Sequence, residues 1–253
     1  MNAVVVVAIG KSLEWDVSKE SIEAYCDKYN LTLEVISEPK YNIKPFDKFS
    51  NQANLFEKFQ IYELFEKYDR ILRLDYDLLI APDCPNLFDV VPKECIGGTY
   101  EDIGKAQGDR WFRIRNIQEY FRRLDWSVGY LNAGVIVASK EHREAFNVSL
   151  EEIYRAQSVA GIITPEQDYM NYKIRLLGFE VCNLGYKFNH IMHFTENRFN
   201  SYIIHYAGSN VFDDDLRERK NSKVDNGLWR ELTAEQMRRD WECLINHRGE
   251  DYR

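Results

Sequence analysis

The run from Ala3 to Ile9, AVVVVAI, is the strongest single restriction on the architecture. Branching at Cβ favours extended backbone. A strand that is apolar at every position, rather than at every second one, must be covered on both faces, as in a parallel sheet flanked by helices. Seven residues fall far short of the roughly 20 needed to cross a bilayer. Only Asn2 separates the run from Met1, so no basic n-region or cleavage site marks a signal peptide, and a soluble, cytoplasmic protein is expected.

The rest of the chain continues the pattern. After Gly10, a helical spacing runs from about Ser18 to Tyr29, with Ile22, Tyr25 and Cys26 on one face, followed by a strand over Leu31 to Ile36. Residues 37–50 carry two prolines and several aromatics without periodicity and read as an ordered loop bordering a site. Helix resumes near Asn54 to Lys67, and Ile71 to Leu74 is a short strand. Further strands are expected at Cys95–Thr99, Gly134–Ala138, Phe179–Asn183 and Tyr202–His205, and helices at Glu141–Gln157, Pro165–Leu176 and Ala234–Asn246. The alternation, without repeats or a Gly/Ser linker, predicts one α/β domain with a mixed, mostly parallel sheet flanked by helices. It spans residues 1–212, and 213–253 form a charged loop, taken as solvated over Asp213–Lys223, and a C-terminal helical extension.

A net charge of −8 argues against nucleic acid as a partner, because phosphate binding needs a surplus of Lys and Arg along one face. Five scattered cysteines without a CxxC pair read as free thiols in a reducing compartment.

The chemistry gathers around Asp75-Tyr76-Asp77. In extended chain, residues i and i+2 point the same way, so two carboxylates converge at the carboxyl end of a strand, where open α/β sheets bind ligands. Taken alone, the pair reads equally as a divalent-cation site or as a strand-end turn whose carboxylates cap backbone N–H groups.

Other segments in order add weight: Leu74 to Ile80, then Gly129 to Val135 (GYLNAGV), Glu166 to Asn171 (EQDYMN) and Ile203 to Gly208 (IIHYAG), preceded by Glu57-Lys58-Phe59 and by Ala8-Ile9-Gly10 at the end of the first strand. This ordered set, over roughly residues 3–210, resembles the glycogenin and lipopolysaccharide-galactosyltransferase family, the family 8 glycosyltransferases of GT-A (Rossmann-like) fold. The resemblance implies a metal-dependent transferase that moves a sugar from a nucleotide sugar, a UDP-sugar, to a glycan-type hydroxyl acceptor with retention. By similarity, Asp75, Asp77 and His205 hold Mn²⁺ or Mg²⁺. Ala8, Ile9, Gly10, Lys58, Asp75, Tyr76, Gly134 and Gly208 contact the donor. Gln167, Asp168 and Asn132 lie at the reacting sugar.

Against these stand plainer readings: Lys58 as a solvated helix lysine, Asn132 as a turn cap, and Glu166 with Gln167 as first-turn residues behind Pro165. The sequence also departs from the family. Ser209, Asn210, Val211 and Phe212 follow Gly208 where a phosphate-gripping Lys is usual, and Glu166 replaces an Asp. Lys220, Lys223, Arg217 or backbone N–H groups are the candidates for that grip. His190 and His193 read as structural or acceptor-site residues, and His142 and His247 as surface residues. Trp111, Phe112, Tyr120, Phe121 and Trp126 divide between sugar-stacking surface and core. The alternatives are a haloacid-dehalogenase-like phosphotransferase, which also places Asp-x-Asp after a strand, and a non-catalytic sugar-nucleotide-binding protein.

Overall fold

The computed structural model describes residues 1–43, 54–208, 210–221 and 226–246. Half of the loop expected over 37–50, residues 44–50, lies outside these residues, as do Ser209, Lys223 and His247.

Among the described residues eight strands form, β1 (Asn2–Val7), β2 (Thr32–Ile36), β3 (Arg70–Leu74), β4 (Leu78–Ile80), β5 (Cys95–Tyr100), β6 (Leu131–Ser139), β7 (Glu180–Asn183) and β8 (Ile203–His205). The main sheet has the order β2-β1-β3-β6-β5-β7. All pairs are parallel except β3 with β6 and β6 with β5, so one strand runs against the other five. The start of β6 therefore lies at the same edge as the ends of β1 and β3.

The apolar run explains itself in this setting. Ala3 and Val5 enter one core while Val4, Val6 and Ala8 enter the other, on the opposite face of the sheet. β6 repeats the division, with Ala133, Ile136 and Ala138 on the first side and Val135 and Val137 on the second. Each fully buried Val or Ile contributes on the order of 1.5–3 kcal/mol, so no position on these strands tolerates a polar side chain at little cost.

The helices are α1 (Leu13–Tyr29), α2 (Ile61–Leu64), α3 (Leu87–Val90), α4 (Gln107–Tyr120), α5 (Leu150–Gln157), α6 (Pro165–Leu176), α7 (Asp214–Asn221) and α8 (Asn226–Asn246). Ser12 starts α1 by accepting a hydrogen bond from the Trp15 N–H, and Asn30 ends it in the left-handed conformation. The helix expected over Glu141–Gln157 is two pieces. A 3₁₀ segment, Lys140–Phe146, ends before Ser149, which caps α5 in a reciprocal box with Glu152.

Two expectations are corrected, and one helix is new. The charged stretch read as a loop is helical over α7, where Asp214 and Asp215 at the start and Arg219 and Lys220 at the end complement the helix dipole. The segment between the central motifs is the helix α4, which buries Arg113, Ile114, Ile117 and Gln118 and leaves Trp111, Phe112 and Tyr120 exposed. His142 is buried rather than on the surface, because its Nδ1 accepts from the Ser139 N–H while Nε2 faces the Glu94 carbonyl.

A second, two-stranded sheet decides the site. β4 and β8 pair antiparallel with Leu78 opposite His205, and α8 covers the ribbon by packing Ala234, Met237, Trp241 and Leu244 against Leu79, Ile204, Tyr206 and Val17 of α1. Among the described residues, no helix is long and apolar enough to cross a membrane.

Candidate active site

Residues at the carboxyl edge of β1 and β3 meet the start of β6 and the end of β8. Asp75, immediately after β3, donates its N–H to the Gly134 carbonyl. Asp77, immediately before β4, accepts at its carbonyl from the Tyr206 N–H. The ribbon thus carries His205 back to the acidic triplet, with Nε2 3.2 Å from Asp77 Oδ1 and 3.7 Å from Asp75 Oδ2. One ligand atom from each of the three lies within 4.8 Å of the others.

The charges around this cluster are uneven. Lys58 Nζ stands 2.9 Å from Asp75 and 3.4 Å from Glu166, and Arg73 Nη1 stands 2.6 Å from Asp75. Burial works against the Asp75 carboxylate, but Lys58, Arg73 and His205 outweigh it and hold the group well below the usual carboxylate range. Burial also favours a neutral His205, yet Asp77 and then Asp75 reverse this and raise its pKa. Two hard carboxylates and one imidazole fit Mn²⁺ or Mg²⁺, the imidazole favouring Mn²⁺.

The donor-side residues of the sequence reading converge on the same edge. Ala8 follows β1, its N–H bonded to the Ile36 carbonyl, one strand over from Tyr76. Gly10 has φ +80° and is exposed. Burial, then Asp77 and Glu14, push the Tyr76 hydroxyl pKa up. Gly134 is required by packing, because a Cβ there would lie 2.2 Å from His205 Cε1. Gly208, at φ +71°, shapes the turn closed by the Asn210 N–H to the Tyr206 carbonyl. Of the cations named for the phosphates, Arg217 is engaged with Asp214 and the Phe212 carbonyl, while Lys220 reaches Asn210 at 3.5 Å.

Asn132 and Gln167 are buried and fully engaged. Gln167 accepts from the Ala133 N–H at 2.7 Å and donates to Glu101 at 2.8 Å. Asn132 accepts from the Gly134 N–H at 2.7 Å and donates to Glu101 at 2.6 Å. Asp168 differs. Its side chain is wholly buried, paired with Arg113 from α4 and accepting from the Tyr130 hydroxyl at 2.9 Å. It braces α6 against α4 and β6.

His190 is buried against Ser201, with its pKa pushed down to about 4 by burial, and His193 is exposed. Trp126 stacks on Tyr130 and, with Trp111, Arg122 and Arg123, lines a groove of about 870 Å³ beside α4. Sequence reasoning missed Glu101, Asn189, Arg73 and Arg113. Glu101 gave one signal, as an acid directly after a strand. Asn189 gave none.

A mostly parallel sheet with one reversed strand, carrying an acidic pair and a histidine at its carboxyl edge, defines the GT-A class of glycosyltransferases. Residues 6–210 match the profile of glycosyl transferase family 8, and the chain belongs to that family: it is a glycosyltransferase. A search of curated proteins returns no match. Among solved structures, the chain is similar to the galactosyltransferase LgtC in complex with donor and acceptor sugar analogs, at 15% identity over 93% of this chain and 96% of that one, with a TM-score of 0.58. It is also similar to a glycosyltransferase involved in glycosylation of the major capsid of PBCV-1, at 16% identity over 87% and 100% of the two chains, with a TM-score of 0.56. Mouse xyloside xylosyltransferase 1 is a third, at 12% identity over 84% and 100%, with a TM-score of 0.52.

Proposed function

We propose that the protein transfers a sugar from a UDP-sugar to a hydroxyl of a glycan-type acceptor, with a divalent ion and with retention at the anomeric carbon. The convergence of Asp75, Asp77 and His205 carries this reading. These three would hold Mn²⁺ or Mg²⁺, and the ion would neutralise the charge that builds on the diphosphate as it leaves. Ala8, Ile9, Gly10 and Tyr76 receive the nucleoside. Lys58 adds positive charge beside Asp75. Gly134, whose missing Cβ admits the His205 ring, and Gly208 border the donor. Gln167 and Asn132 lie toward the reacting sugar, and an active-site glutamine variant reported for LgtC supports looking to Gln167. Asp168 acts by holding the α6 N-terminus, and so Gln167, in place. The transferase unit is residues 1–212, with 213–253 as an extension whose α8 closes the flank of the β4–β8 ribbon.

Thermal shift with each nucleoside diphosphate, with and without Mn²⁺, tests the donor class, since specific binding stabilises in proportion to the logarithm of ligand excess. Uridine diphosphate should raise Tm only with the ion. A guanosine preference or an ion-independent shift would overturn the reading. NMR of the first-formed product should show the donor's anomer retained.

A further inference from the structure

We propose that Glu101, acting through Asn132 and Asn189, fixes which nitrogen of His205 carries the proton and thereby sets the metal affinity of the site; this rests on the metal-dependent reading above.

The four side chains form one buried chain of hydrogen bonds. His205 Nδ1 lies 2.8 Å from Asn189 Oδ1, Asn189 Nδ2 lies 2.8 Å from Asn132 Oδ1, and Asn132 Nδ2 lies 2.6 Å from Glu101 Oε2. Their direction follows from the last member. An ionised carboxylate only accepts, so Asn132 must turn its NH₂ to Glu101 and its oxygen inward. That oxygen also receives the Gly134 N–H, a backbone donor that cannot be reversed. Asn189 must then present its NH₂ to Asn132 and its oxygen to the ring, so Nδ1 of His205 is the N–H. The lone pair of the neutral ring is left on Nε2, facing Asp75 and Asp77.

Each link has a second anchor. The Glu101 Oε1 accepts from both Gln167 Nε2 and Arg110 Nε, so the carboxylate cannot rotate away. Asn189 is held by the bridge of its neighbour to β8, through His190 N–H to the Ile203 carbonyl and His205 N–H to the His190 carbonyl. Groups that orient a ligating imidazole in this way typically alter metal affinity 10–100-fold. Asn189, Asn132 and Glu101 are positioning residues here, because none of them supplies an atom to the ligand cluster.

The test is Mn²⁺ titration of the full-length protein without donor, read by electron paramagnetic resonance of the free ion, with melting curves as the check on folding. Wild type should bind. If it does not, the metal reading itself falls and the relay falls with it. Glu101→Gln and Asn189→Ala should each raise Kd about tenfold or more. Together they should be no worse than Asn189→Ala alone, because the chain is cut once. The charge lost at 101 would act through space whether or not Asn189 is present, so additive losses, or no loss in either variant while wild type binds, overturn the proposal. Glu101→Gln combined with Asn132→Asp should recover most of the affinity, since a carboxylate at 132 accepts from Gly134, Asn189 and the new amide at 101. Should Glu101→Gln fail to fold, Asn189→Asp against Asn189→Leu decides. The first keeps an acceptor for the ring N–H and should bind at least tenfold more tightly; equal constants overturn the relay.

Discussion

Gly134 and His205 fill one another's space: a Cβ at 134 would meet the imidazole at 2.2 Å from Cε1 and 2.4 Å from Nδ1. Gly134→Ala should therefore push the ring off the acids or shift β6, at a cost of about 1–3 kcal/mol for overpacking. Mn²⁺ affinity should fall at least tenfold by calorimetry. Unchanged affinity would mean that the ring is not held where the three donors meet.

The raised pKa of His205 gives a pH dependence of defined sign. Without metal, this group contributes stability that is complete below its unfolded value near 6.5 and is lost as pH rises through the folded-state value. Metal binding takes the unprotonated Nε2, so the ion displaces a proton. The increase in Tm caused by Mn²⁺ should therefore be larger at about pH 8.5 than at about pH 6, and binding should release a proton measurable in buffers of different ionisation enthalpy. A shift that grows toward acid would exclude His205 as a ligand.

Gln167 spans the start of β6 and Glu101, so Gln167→Ala leaves the Ala133 N–H short of an acceptor at a stability cost of about 1–3 kcal/mol. Its larger effect should fall on kcat, at least tenfold, with donor Kd changed less than about threefold, because a group beside the reacting carbon acts mainly in the transition state. Single-turnover rates and donor titrations measure the two separately. An unchanged kcat would remove Gln167 from the chemistry.

Asp240 of α8 accepts from Arg198, Gln236 and the Tyr206 hydroxyl, the last at 2.7 Å, and Tyr206 directly follows His205. Asp240→Ala leaves the Arg198 guanidinium with Asp213 alone and the buried Tyr206 hydroxyl without its acceptor, which costs about 1–3 kcal/mol. Chemical denaturation should show that loss, and Mn²⁺ affinity should weaken as β8 loosens. An unchanged midpoint would show that α8 does not brace the site.

Much of this protein is local in origin and could be read from its residues. The AVVVVAI run dictates a strand buried on both faces, and alternate residues do enter opposite cores. Pro165 fixes the start of α6, which ends at Leu176 as its spacing predicts. The Asp75 and Asp77 carboxylates, two positions apart, come together on the short bend between β3 and β4. These features depend on neighbours a few positions apart, and hydrophobic period, proline geometry and strand pleat act over that range.

Tertiary structure alone decided the rest. Leu78 opposite His205 is a register between segments whose sequences carry no mark of each other, fixed only when α8 and α1 enclose the ribbon. α4 was hidden because its buried face carries Arg113 and Gln118, polar groups whose partners Asp168, Trp126 and Leu124 come from elsewhere in the chain or from beyond its own end. The pairing of Asp168 with Arg113, 55 positions away on α4, has no mark in either segment. Asn189 and Glu101 belong to no motif, and the chain of bonds joining them to His205 exists only where loop, strand end and ribbon meet, since a hydrogen bond depends on distance and direction in space and not on separation in sequence.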